Sequence, residues 1–420
     1  MGVSLKLNMP AITPKFMFRL LVLIFWSQHT ILKFATEFIE RLPFFSRFSG
    51  YIVPFLFISL FLLSWPYIIR QVRIPDILFV LSIVLVVVMT LLIYPDSSSY
   101  INVELWRIFG LAVPLYFVGV IYDHEETKRD LFWASLIGVV SMFVYQLYVL
   151  RSGRALETEN MSAAYNILPS IMYLIYWAIT NKGIKNWAIA LAASSMAFVF
   201  GTRGPIFAIV IFLLIGITYK AVKIKNSVLK VFVILFIFAM AIYIISGDAI
   251  INLAMYLSKI FSEVGFSTRI FEFLIEEQIT ESDGREKLFE IVALAIKQKP
   301  LQGYGFMGDR LVTDGHYAHN LILEFLCSFG VLFGGIASVL SITVPLVAIT
   351  RFRNTNISWM LTMLVCMMFV KLFVSSSYVF EANFFFLLGL SVNILRLAKL
   401  KASGVSLNYE KIYKNVDSEV

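Results

Sequence analysis

The chain has 420 residues, of which 59% are hydrophobic and only 15% charged. That much apolar surface excludes a soluble protein of this length and points to a polytopic, all-α membrane protein. The formal charge of +8 reads as Lys and Arg that orient the spans, and no nucleic-acid partner is expected from it.

A span needs about 20 mostly apolar residues. By that measure the expected spans run over residues 15–34, 51–69, 76–94, 105–121, 130–149, 162–180, 186–201, 205–219, 229–246, 328–350, 357–376 and 379–397, twelve in all. The first is interrupted by Arg19 and His29, and lacks a small-residue cleavage site, so it is expected to be retained. The seventh and eighth meet at Gly201-Thr202-Arg203-Gly204-Pro205, where Pro suits the first position of the following helix. Gly330, Gly334 and Gly335 suit close packing at the start of the tenth span. Both cysteines, Cys327 and Cys366, lie in apolar stretches, so no structural disulfide is expected.

Basic residues alternate with each crossing. Arg70, Arg73, Lys128, Arg129, Lys182, Lys185, Lys220, Lys223, Arg351, Arg353, Arg396 and Lys399 fall on connections of one side, which the positive-inside rule makes cytoplasmic. Both termini are then cytoplasmic. The expected organisation is residues 1–246 as spans one to nine, 247–318 as a large, partly helical outer loop, 319–401 as spans ten to twelve, and 402–420 as a polar tail.

A loop that long between two apolar segments is expected to carry function. Arg151 and Arg154 after the fifth span, Arg203 in the tight turn and Arg285 in the loop break the orientation rule. Each alone could snorkel or meet a lipid phosphate; together on one face they suit an anionic ligand, since the guanidinium fork pairs bidentately with phosphate oxygens. His319, followed by Asn320, is the candidate general base. His316, three residues earlier, would share its face on a helix, but no third ligand accompanies the pair, and no metal site is expected. Gly303-Tyr304-Gly305 is a turn, one that could let backbone approach a ligand. Asp123-His124-Glu125-Glu126 reads as a solvated turn, and Lys371 with Glu381 as a pair across the last outer turn.

Four words in this order resemble the O-antigen ligase and O-antigen polymerase superfamily of bacterial envelope enzymes: Arg151-Ser152-Gly153 with Asn160; Thr202-Arg203-Gly204; Gly284-Arg285 ahead of Pro300 to Gly305; and His319-Asn320 with Gly330. The resemblance covers nearly the whole chain. It implies a multi-pass protein of the bacterial inner membrane whose 247–318 loop and active site face the periplasm. It also implies a metal-independent, cofactor-free glycosyltransferase of the GT-C kind using an undecaprenyl-diphosphate-linked oligosaccharide. His319 would be the general base; Arg203, Arg285 and Arg151 or Arg154 would hold the diphosphate; Asn320, His316 and Tyr304 would support them. Membrane lipids and a chain-length regulator are the further partners implied. Phe333 departs from the small residue or Tyr that ligases tend to carry three residues after that glycine, which favours the polymerase, with the ligase reaction as alternative. A lipid-linked oligosaccharide flippase fits less well, because the long connection is expected outside after the ninth span and the halves show no matching pattern.

Overall fold

The computed structural model describes residues 13–35, 49–151, 160–181, 183–200, 202–222, 248–264, 268, 271–272, 285–353 and 355–403. Among them the fold is helical, with no strand. In chain order the helices are α1 (Pro14–Ser27), α2 (Ser49–Ile68), α3 (Ile74–Ile93), α4 (Ser98–Arg107), α5 (Val113–Ile121), α6 (His124–Arg151), α7 (Asn160–Thr180), α8 (Ile184–Val199) and α9 (Arg203–Val222). Then come α10 (Asp248–Val264), α11 (Arg285–Gln298), the short α12 (Gly308–Val312), α13 (Leu321–Arg351), α14 (Asn356–Val374) and α15 (Ala382–Ala402). Every expected span carries a helix except 229–246, which lies outside the described residues.

Six of these stretches are long and apolar enough to cross a membrane: 74–93, 95–121, 124–148, 321–351, 356–374 and 382–400. Residues 52–68 and 203–219 form shorter apolar helices. On α3, Leu78, Leu81, Leu85 and Leu92 point outward, and on α13 so do Leu332, Phe333, Ile336 and Val339. Such a surface is stable against lipid and a liability in water.

Three boundaries differ from expectation, each for a local reason. The fourth segment starts earlier, because α4 runs through a wide π-type turn at Ile108–Ala112 into α5. The tenth starts at Leu321, because Asn320 caps it there: the Asn320 side chain accepts from the backbone N–H of Ile322 (3.1 Å) and Leu323 (3.2 Å). Helix α9 starts at Arg203, which puts Pro205 in its first turn rather than at its first position.

Polar groups collect at two levels. At one, the Arg396 guanidinium pairs bidentately with Asp76 (2.6 and 2.8 Å), Asn393 donates to the carbonyl of Tyr122 (3.0 Å), Asn356 donates to Glu125 (3.2 Å), and Lys15 and Arg19 pair with Glu126 and Asp130. At the other, Lys371 pairs with Glu381 (2.7 Å), Tyr165 with Ser375, and Arg310 with Ser377. Asn356 and Ser375 mark opposite ends of α14; at about 1.5 Å per residue they stand roughly 28 Å apart, close to the thickness of a hydrocarbon core. The turn expected to be solvated at Asp123–Glu126 is so only in part: Glu126 is exposed and Asp123 and Glu125 are half-buried. His124 is buried and shares a hydrogen bond with the Tyr176 hydroxyl (2.6 Å), because an imidazole inside a bundle needs a partner.

Between the levels the helices close on one another through small residues. A Cβ on Gly119 of α5 would fall 2.7 Å from the Leu390 nitrogen of α15, and one on Gly389 of α15 would fall 3.0 Å from the Val120 nitrogen of α5. Only glycine allows backbones this close.

Candidate active site

The site is built where the connection 299–320 meets a break in α13. Gly330, inside that helix, has φ 73° and ψ 175°, a conformation open essentially to glycine alone. The break frees helical carbonyls and an amide, and the Pro300–Gly305 segment takes them up. Tyr304 N–H donates to the Cys327 carbonyl (2.9 Å), Gly305 N–H to that of Ser328 (2.8 Å), and Val331 N–H to that of Pro300 (2.6 Å). A Cβ on Gly303 would fall 2.5 Å from the Ser328 oxygen and 2.6 Å from the Gly330 nitrogen. Gly303 therefore lets backbone meet backbone, while Gly305 makes room for the Thr90 side chain, 2.6 Å from where its Cβ would be. The Tyr94 hydroxyl donates to the Gly303 carbonyl (2.9 Å) and Thr90 accepts from Phe306 N–H (2.8 Å), tying the turn to the end of α3.

From that anchor the chain passes α12 and returns through residues 313–320. His316 and His319 do not share a helix face, because this return is irregular backbone; His316 is exposed, while His319 sits half-buried. His319 has φ 51°, a left-handed conformation that costs a non-glycine residue about 1–3 kcal/mol and persists only where its surroundings hold it. Its ring lies 4.0 Å, centroid to centroid, from that of Tyr317, and Asn320 caps α13 immediately after it.

Beneath this return lies a buried cluster that sequence reasoning missed. Asp309, Arg310 and Glu324 are 1%, 3% and 0% exposed. Asp309 accepts from Arg310 (3.1 Å) and from Ala318 N–H (3.0 Å); Arg310 also donates to the Ser377 hydroxyl (2.9 Å), which donates to Glu324 (2.7 Å). Burial pushes the Asp309 carboxyl above its usual range, opposed by the Arg310 charge and the Ala318 N–H. The Arg310 guanidinium lies over the rings of Tyr317 (5.6 Å) and Phe380 (5.0 Å). In the sequence the only signal was an Asp-Arg pair just past the glycine turn, followed by a lone Glu in the first turn of an apolar helix.

The tight turn before α9 reaches the same place. A Cβ on Gly204 would run into the Tyr165 hydroxyl, so only glycine fits there. That hydroxyl bonds Ser375 Oγ (2.6 Å), and the Ser375 carbonyl accepts from the Tyr317 hydroxyl (3.4 Å). A continuous path thus runs from Gly204, next to Arg203, through Tyr165, Ser375 and Tyr317 to His319. Arg203 opens α9 with its side chain exposed, at a helix N-terminus that itself favours anions.

The other expected residues are placed as follows. Arg285 opens α11, and Arg151 closes α6; their side chains, and all of Arg154, lie outside the described residues. Tyr304 is engaged away from the histidine: its hydroxyl donates to Gln298 (3.1 Å), and Lys299 lies over its ring (4.5 Å) and that of Tyr94 (4.8 Å). Among the described residues no group of three or more His, Cys, Asp or Glu is gathered as a metal site would require.

Fold and site define a helical membrane protein with a polar centre at one level of its bundle. Residues 188–337 match the family model described as O-antigen ligase, which is consistent with the O-antigen polymerase and ligase superfamily. Members are membrane glycosyltransferase-like enzymes acting on lipid-linked glycans. The matched segment contains Arg203, Arg285, the glycine turn and His319-Asn320. No curated protein and no solved structure matches the chain.

Proposed function

We propose that the protein is an O-antigen polymerase of the bacterial inner membrane, moving an undecaprenyl-diphosphate-linked glycan onto a lipid-linked repeat unit at the periplasmic face. The observation that supports this most is the meeting of the Arg203 turn with His319 through Tyr165, Ser375 and Tyr317, inside the segment that matches the family. His319 removes the proton of the acceptor hydroxyl as its oxygen attacks the anomeric carbon. The bond from that carbon to the diphosphate breaks, and undecaprenyl diphosphate leaves with the electron pair. Inversion at the anomeric carbon follows from a single displacement.

Negative charge grows on the diphosphate as this bond breaks. Guanidiniums already held at that depth stabilise the transition state more than the ground state. Arg203 at the N-terminus of α9 and Arg285 at that of α11 are assigned to the diphosphate, with Arg151 or Arg154 completing the cradle. General-base help from the imidazole is worth about 10²–10⁴-fold.

The ligase reaction, with the same donor and lipid A-core as acceptor, is the second reading, favoured by the description of the matching family. Gene deletion separates them. Loss of a polymerase leaves lipopolysaccharide capped with a single repeat, whereas loss of a ligase leaves a core without O-antigen.

A further inference from the structure

The Asp309–Arg310 pair has no part in the transfer as written above, yet with Glu324 it holds the most deeply buried charges beside His319. Charged side chains inside a membrane protein are expensive, so their partners indicate a use. Here the partners converge on one loop. Asp309 accepts the N–H of Ala318, the residue before His319 (3.0 Å). Arg310 bonds Asp309 on one side and Ser377 on the other, and its guanidinium lies over the ring of Tyr317, which packs tilted against that of His319. The carbonyl of Arg310 accepts Gly315 N–H (2.8 Å), and the Thr313 hydroxyl has the Asp309 and His316 carbonyls as alternative acceptors for its one proton. The backbone before His319 and the ring beside it are therefore held by the same two residues.

We propose that Arg310, together with Asp309, is a positioning residue for the transfer. It holds the left-handed backbone of His319 and aims its imidazole at the acceptor. Through Ser377 and Glu324 it ties that aim to the turn between α14 and α15, where Ser375 meets Tyr165 beside the Arg203 turn. This rests on reading His319 as the general base.

The test uses the full chain in membrane vesicles, with the undecaprenyl-diphosphate-linked repeat unit extracted from a deletion strain. Arg310→Lys keeps the charge but loses the planar fork that reaches Asp309 and Ser377 at once. Tyr317→Leu removes the ring between guanidinium and imidazole, and its bond to Ser375, but keeps the hydrogen bonds among Asp309, Arg310, Ser377 and Glu324, so it carries the test if Arg310→Lys does not accumulate. Each variant should lose about 10–100-fold in kcat, the scale of a 1 Å misplacement. The KM for the lipid-linked unit should stay within about threefold, because uniform binding is untouched. The limb of the pH–rate profile set by the imidazole should move. Combined with His319→Ala, neither should reduce the residual rate further, because residues acting as one unit are not additive.

A loss confined to KM, an unmoved pH limb, or a multiplicative loss on top of His319→Ala overturns the positioning role. So does a wild-type rate in both variants. Full activity of His319→Ala alone overturns the general-base reading instead, and the two failures are told apart by which single variant stays active.

Discussion

The docking of the glycine turn onto the break in α13 makes a prediction that can be worked from distances. In Gly330→Ala the new Cβ would lie 2.5 Å from the Leu301 carbonyl carbon and 2.8 Å from the Pro300 oxygen. Those atoms are backbone and cannot swing aside. The residue also has φ 73° and ψ 175°, where a side chain costs about 1–3 kcal/mol. Displacing Pro300 breaks its bond from Val331 N–H, worth roughly 1 kcal/mol net. The sum is about 2–4 kcal/mol against docking, or roughly 30- to 1,000-fold in the docked population. The amides of Tyr304 and Gly305 report this directly, since they donate to Cys327 and Ser328 only when docked. Hydrogen exchange at these two amides should quicken by that factor. Gly335→Ala is the control: a Cβ there meets nothing within 4 Å, and its exchange should equal wild type. Equal exchange in the two variants would refute the docking argument.

Three further outcomes follow from the site. Asn320→Ala removes the cap of α13 and should cost about 1 kcal/mol in detergent melts, with Asn320→Asp close to wild type. Lys371→Met leaves Glu381 buried without its partner and should destabilise by about 3 kcal/mol; adding Glu381→Gln should recover part of it, and an additive loss would contradict the pairing. Arg203→Ala should cripple transfer and Arg203→Lys restore it only partly, because an ammonium cannot form the bidentate contact; full activity in Arg203→Ala would remove it from the site.

Much of the helical layout could be read from the sequence, because an apolar run near 20 residues has few other uses. The Lys371–Glu381 pair was equally readable, being set by local spacing, whereas the cap at Asn320 was not: the tenth span was expected from 328 and starts at Leu321. What escaped was nonlocal. Nothing in Pro300–Gly305 announces that its amides pair with carbonyls of Cys327 and Ser328 at a break in the next helix, so its glycines read as a turn open to ligand. Nothing in the sequence marks Asp309 and Arg310 as buried, because their burial depends on Ser377, which lies far along the chain on the α14–α15 turn. His124 was misread for the same reason: its partner, Tyr176, lies on another helix. The spacing of His316 and His319 suggested a shared helix face only because the left-handed backbone at His319 has no sequence signature.

The central claim is that His319 acts as the base in glycan transfer. It is tested most directly by His319→Ala in a strain deleted for the gene, with membrane-inserted protein at wild-type level and lipopolysaccharide resolved on a gel. If His319 is the base, the lipopolysaccharide is core capped with a single repeat and carries no longer chains; wild-type modal polysaccharide from this variant would rule that role out.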